Sequence, residues 1–180
     1  MLKTYSLRDF MHITLFATIA TVSKTPLSAA SNFFAGTFGL PGGIISGMYY
    51  MFWIIAAYAV VGKRGTATLF CLIQALLSLY LSNFPAIKTI TFLPPGLVVD
   101  LFYWVMGDRA YCKTCMILGG AMANIAGALA MAVLFLKIPV QGLIITALIS
   151  SLSGGLGGYL AYIVVKQLAV LVRDINVDLK

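Results

Sequence analysis

Apolar residues run along this chain in long blocks, broken by short polar joints or by glycine and proline. Six membrane spans are predicted: roughly Leu7–Lys24, Ile44–Gly62, Thr66–Asn83, Phe92–Gly107, Cys115–Leu136 and Gln141–Val165. Most approach the ~20 residues that a helix needs to cross the hydrocarbon core of a bilayer. In the fourth, Pro94-Pro95-Gly96 shortens the helix, because two prolines cannot sit in a helix interior.

Composition agrees with the pattern. The chain is 61% hydrophobic and 9% charged, more apolar than a soluble domain of 180 residues needs to be. The expectation is an all-α, polytopic protein, residues 1–180 forming a single integral membrane domain. A cleavable signal peptide is not expected, since no small-residue cleavage site follows the first apolar run and five further runs come after it.

The net charge of +7 reports orientation. With the N-terminus in the cytoplasm, Lys3, Arg8, Lys63, Arg64, Arg109, Lys113, Lys166, Arg173 and Lys180 fall inside, and Lys24, Lys88 and Lys137 outside. This bias predicts an N-in, C-in protein of the cell membrane. The basic residues are spread over joints and form no stripe for nucleic acid.

Among the acids, Asp100 stands apart. Asp9, Asp108, Asp174 and Asp178 lie at segment ends or in the tail, whereas Asp100 sits within the fourth span. An intramembrane carboxylate must face protein, water, a partner charge or a ligand. Lying just past the Pro-Pro-Gly break, it is expected on the outward-opening side, meeting either a cationic ligand or Lys24.

Catalytic chemistry finds no footing. His12 is the only histidine and has no partner base or nucleophile in view, and no Gly-x-x-x-x-Gly-Lys-Ser/Thr nucleotide loop is present. Cys71 reads as a small core residue. Cys112 and Cys115 form Cys-Lys-Thr-Cys in an expected cytoplasmic loop, with no second pair to complete a zinc site. No enzyme activity, metal site or resident cofactor is expected.

Two external connections are long and nearly uncharged: Thr25 to Gly43, and Phe84 to Gly96. The first is expected to be a semi-buried lid or re-entrant segment on the outer face. Rows of small residues predict close helix packing in lipid: Thr146, Ser150, Gly154 and Gly158 on the sixth helix, with Gly119, Ala123 and Gly127 beside Gly120, Asn124 and Ala128 on the fifth. On the first helix, Ala17, Thr18 and Thr21 offer a small surface to which another membrane subunit could dock.

Polar and aromatic residues gather toward the outer half. Lys24, Asn32, Tyr49, Trp53, Asn83, Asp100, Tyr103 and Trp104, with Gln74 and Asn124 nearer mid-membrane, outline a pocket for a small planar molecule. Aromatics would stack on its ring, and amides and one charge would orient it. Interfacial belts also collect Trp and Tyr; Asp100, Asn124 and Gln74 have no such reason to lie deep in lipid.

The chain resembles the substrate-binding S components of energy-coupling factor (ECF) transporters. The resemblance rests on size, six helices, the long first external connection and the Pro-Gly-x-x-x-Asp-Leu opening from Pro95 to Leu101. Phe34-Ala-Gly-Thr-Phe-Gly, Gly47-Met-Tyr-Tyr, Ile54-Ile-Ala-Ala-Tyr58, Gly65-Thr-Ala-Thr-Leu-Phe and Ile73-Gln-Ala-Leu76 look most like the YkoE-type subfamily. That group is associated with thiamine or its pyrimidine precursor and has also been labelled as cobalt-transport permeases. The resemblance implies a ligand bound at the outer face under the first lid, a transmembrane T subunit and two cytoplasmic ATPases that use the ATP. It also implies a first-helix Ala-x-x-x-Ala contact with the T subunit, whose nearest match here is Ala17-x-x-x-Thr21. Met-His, which opens the cobalt and nickel members, occurs only internally as Met11-His12.

The resemblance implies a vitamin-binding subunit of an ATP-binding-cassette importer, with thiamine or its hydroxymethylpyrimidine-like precursor favoured. The alternatives are a solitary small-molecule or cobalt/nickel carrier working without an ATPase, and a non-transport membrane scaffold.

Overall fold

A computed structural model describes residues 5–38, 43–81, 86–107, 112–136 and 139–178; its side chains are described over 5–24, 26, 46–80, 89–107, 112–135 and 139–169. Six α-helices carry the fold: α1 Leu7–Phe38, α2 Gly43–Val61, α3 Thr66–Leu81, α4 Leu93–Val105, α5 Lys113–Met131 and α6 Val140–Asp178. A 3-10 segment, Ala86–Phe92, leads into α4, and a π-helical turn, Ala132–Leu136, ends α5. Among the described residues there is no strand.

The connection expected to be external begins as helix. α1 continues to Phe38 with Pro26 inside it, so the start of the expected lid or re-entrant segment is a continuation of α1. No glycine interrupts the run before Gly36, and a proline that removes one N–H does not by itself end a helix whose neighbours can continue it. The last helix also outruns its expected end, reaching Asp178. The shortened fourth helix is as the prolines require. α4 has 13 residues, and its prolines fall in the first turn, where a missing N–H leaves no intrahelical bond unmade.

α5 and α6 approach backbone to backbone. A side chain on Gly120 would collide with the Gly154 carbonyl, and one on Gly158 with the Met116 carbonyl. The small-residue rows thus seat α6 on α5, where close approach supplies the dispersion contacts that drive association in lipid. Gly96 does the same for α4 on α3: a Cβ there would lie 2.8 Å from the Ala67 carbonyl oxygen and from Cys71 Sγ. Between these seams sits a core built on Ile13, Ile54, Ile55, Phe70, Val99 and Met116. Tyr58 and Tyr103 stack within it, centroids 4.2 Å apart and 11° from parallel.

The outer surface is apolar. Leu15, Val22, Leu76, Leu101, Leu148 and Leu152 are all exposed, as expected of helices facing lipid and not of a bundle facing water. Among the described residues, two helical stretches are long and apolar enough to cross a membrane, Lys113–Phe135 and Val140–Ala169; three shorter apolar helices accompany them.

The small surface on α1 is not where spacing placed it. Ala17 and Thr21 are buried, on the inward face with Ile13 and Ala20, and only Thr18 lies outside. A four-residue spacing keeps two residues on one face of a helix, but which face turns inward is decided by the neighbouring helices.

Candidate functional site

A cavity of about 500 Å³ opens at one end of the bundle. Five helices meet there. α1 contributes Lys24; α2 contributes Ser46, Gly47, Tyr50 and Met51; the approach to α4 contributes Thr91, Phe92 and Pro95. Asn124 and Ala128 come from α5, and Thr146 and Ser150 from α6. This is the end that holds Lys24 of α1 and the N-terminal parts of α2, α4 and α6. The basic joint Lys63-Arg64 lies at the other.

Each wall has a local cause. Gly47 lets α2 pass close to Asn124: a Cβ there would lie 2.7 Å from Asn124 Nδ2 and 3.1 Å from Ser153 Oγ. Asn124 is buried and donates through Nδ2 to the Ser150 carbonyl oxygen at 2.9 Å, pinning α5 to α6 at the cavity wall. Pro95 packs into the space that Gly127 leaves open. Lys24 Nζ sits 4.4 Å from the centroid of the Phe92 ring, a cation–π contact at the rim. Phe92 in turn meets Tyr50 edge-on at 5.7 Å.

A second, smaller chamber of about 20 Å³ adjoins the cavity, sharing Lys24, Ser46 and Tyr50 with it. Its remaining walls are Ala20, Tyr49, Trp53 and Gln74. Trp53 is held by edge-on or tilted contacts with Phe52, Phe16 and Tyr49. The Tyr49 hydroxyl bonds to Ser23 Oγ, and the Tyr50 hydroxyl lies 3.6 Å from Cys71 Sγ.

Five of the residues singled out from sequence therefore line these two spaces: Lys24, Tyr49, Trp53, Gln74 and Asn124. Tyr103 does not; it is fully buried against Tyr58. Trp104 points away, 57% exposed on the outer face of α4. The side chain of Asn32 and the whole of Asn83 lie outside the described residues. Sequence reasoning passed over Phe92, Met51 and Thr91 as site residues, and took Thr146 and Ser150 only for helix packing. No pattern along the sequence joins them, because they lie at different depths of α2, the 3-10 segment and α6.

Asp100 is neither in the cavity nor beside Lys24. Its carboxylate accepts hydrogen bonds from Gly65 N at 3.1 Å, Ala67 N at 3.3 Å, Thr68 N at 2.8 Å and Thr68 Oγ1 at 2.5 Å. These are the unsatisfied donors of the first turn of α3, so Asp100 caps that helix from a neighbouring one and meets the positive end of its dipole. The expectation of an outward-facing acid fails because α4 is short. Eight residues into a 13-residue helix, Asp100 is already near the end opposite the cavity. That end is tied further by Tyr5, whose hydroxyl donates to the Arg64 carbonyl oxygen at 2.5 Å, and by the Asp9–Lys63 ion pair.

The polar groups of the described lining residues are hydroxyls, amides and the Lys24 ammonium. Among the described residues, no His, Cys, Asp or Glu lines the cavity and no group of three such side chains converges. Such a wall suits an organic molecule that is neutral or anionic, and offers a bare transition-metal ion none of the imidazole, thiolate or carboxylate ligands that bind it well.

Known proteins agree with this architecture. A solved structure described as "Crystal structure of an S-component of ECF transporter" superposes with a TM-score of 0.79, covering 93% of this chain and 87% of its own, at 20% identity. That likeness is one of fold. No curated protein matches the chain in sequence. Residues 8–126 match the family described as "ABC-type cobalt transport system, permease component". With that match spanning more than half its length, from α1 into α5, the chain belongs to this family of membrane transport permeases.

Proposed function

We propose that this protein is the membrane-embedded substrate-binding subunit of an ECF-type importer. It would take a small heteroaromatic molecule into the cavity between Lys24, Tyr50, Phe92 and Asn124. The observation that carries this is the cavity itself: a pocket of ligand size at one end of an S-component-like fold, walled by aromatics and a few convergent polar groups. The basic residues favour six spans with both termini in the cytoplasm, which turns the cavity outward. A T subunit and two ATPases would supply the energy, since this sequence carries no nucleotide-binding loop of its own.

Of the two ligands that the sequence suggests, the wall favours the uncharged hydroxymethylpyrimidine over thiamine. The thiazolium cation would meet Lys24 and no carboxylate from the described lining residues. Cobalt, which the family description names, is disfavoured as a bare ion by the donor set.

Equilibrium binding of hydroxymethylpyrimidine and thiamine to purified protein tests the ligand, and a native pull-down tests the partners. The expectation is tighter binding of the pyrimidine, and co-purification of a membrane subunit with ATPases. Binding of neither molecule would overturn the ligand assignment. A pull-down lacking any ATPase would favour a solitary carrier.

A further inference from the structure

Two residues that line the small chamber carry polar atoms that the fold leaves without partners. Trp53 Nε1 and Gln74 Oε1 are both buried and make no hydrogen bond. Gln74 is 1% exposed, deep in α3, and both residues line the chamber. The tyrosine hydroxyls of the same walls are already engaged, Tyr49 with Ser23 and Tyr50 with Cys71. Buried polar groups in folded proteins are nearly always paired, so two orphans on residues that line one space call for an occupant.

Their chemistry defines it. An indole nitrogen only donates, and an amide oxygen only accepts. The occupant must offer a lone pair to Trp53 and an N–H or O–H to Gln74. The chamber is too small for a ring but has room for a single water or one substituent of a ring seated in the main cavity. The aromatic contacts around Trp53 hold its N–H in place before any ligand arrives, so little ordering is left to be done on binding.

We propose that Trp53 Nε1 and Gln74 Oε1 form the specificity subsite of the cavity, reading a ligand edge that carries an N–H donor beside an acceptor lone pair. Amidine-like edges of amino-substituted nitrogen heterocycles have this pattern, as do carboxamides. The subsite rests on the cavity being a site for heteroaromatic molecules and adds which edge of the molecule points inward. Discrimination would come from the unmet partner: a ligand of equal shape lacking the donor leaves Gln74 buried and unpaired.

Two fragments of matched shape test it, 4-aminopyrimidine and 4-methylpyrimidine, bound to protein in nanodiscs and followed by ligand-observed NMR. The wild type should prefer the amino compound about tenfold, the worth of one well-made hydrogen bond. Gln74→Met should bring that ratio close to one, with affinity for 4-methylpyrimidine held within about twofold. Trp53→Phe removes the donor to the ring lone pair that both fragments carry, so it should weaken both about tenfold and leave their ratio near the wild-type value. Thermal melting of both variants checks that they fold. Gln74→Met, which removes an unpaired polar atom, should leave the midpoint unchanged or raised, and Trp53→Phe, which also removes packed ring volume, should lower it.

Equal binding of the two fragments by the wild type would overturn the subsite and leave the cavity assignment standing, the chamber then holding only water. The same holds for a preference that survives in Gln74→Met, or for fragment affinities that Trp53→Phe leaves unchanged. Failure of either fragment to bind the wild type would overturn the subsite and the heteroaromatic assignment together. The transport role is judged separately, by co-purification.

Discussion

Replacing Asp100 separates a carboxylate that holds the bundle together from one that holds a ligand. In the structure it receives three backbone N–H groups and one hydroxyl from the first turn of α3, the closest at 2.8 Å and 2.5 Å. Loss of an N-cap costs about 1 kcal/mol and up to about 2, and hydrogen bonds to a charged group contribute about 1.5–3 kcal/mol each. The four bonds share one carboxylate that keeps some contact with its surroundings, so they do not add. Asp100→Ala should therefore cost about 3 kcal/mol, a fall in Tm of about 6–12 °C for a chain of this length. Asp100→Asn keeps one acceptor oxygen but turns its NH2 toward the donors that the other oxygen received, Gly65 N and Ala67 N or Thr68 N and Oγ1. It loses part of the cap as well as the charge–dipole interaction, about 2 kcal/mol, or about 4–8 °C. The assay is thermal unfolding of detergent-purified protein, paired with ligand binding well below the transition. Binding should stay within about twofold of wild type in both variants, because removal of one of several distant contacts shifts a folded site little. An unchanged Tm in Asp100→Ala would refute the capping role. Lost binding at unchanged Tm would go further and return Asp100 to the ligand.

Three further substitutions probe the walls. Gly47→Ala pushes a methyl group onto Asn124, which must turn and release Ser150; ligand affinity should fall about tenfold for about 1.4 kcal/mol of lost wall order, read by the same binding assay. Gly158→Ala drives a Cβ into the Met116 carbonyl, a backbone atom that cannot yield without lifting α6 off α5. A loss of about 2–3 kcal/mol and a Tm lower by about 4–12 °C are expected from thermal unfolding. Trp104→Leu removes an exposed ring outside the cavity; binding should not change, and Tm should stay within about 2 °C. Because the chain has two tryptophans, that variant leaves Trp53 as the sole tryptophan, read by selective excitation above the tyrosine band. Ligand should then quench it, and Gln74→Met in the same background should weaken the response.

What could be read from sequence was the part dictated by local rules. Apolar blocks, basic joints and the Pro94-Pro95-Gly96 break give six helices and a short fourth one, because helix propensity, proline geometry and transfer free energy act on neighbouring residues. The rows through Gly120, Gly154 and Gly158 likewise announced close packing of α5 on α6, since only small residues permit it. Gln74 and Asn124 could be marked as inward-facing from the cost of leaving an amide in lipid. Which way each helix turns its faces is a collective property, and there local rules ran out. Ala17 and Thr21 share a face, but the neighbours α2 and α3 turn it into the core. Tyr103 and Trp104 are adjacent in sequence, yet one is buried on Tyr58 and the other exposed. Asp100 is the sharpest case. Distance along the chain from a proline break suggested an outer, ligand-facing acid. Only the tertiary structure, by setting a 13-residue α4 beside the start of α3, shows a carboxylate answering backbone donors that no sequence pattern pairs with it.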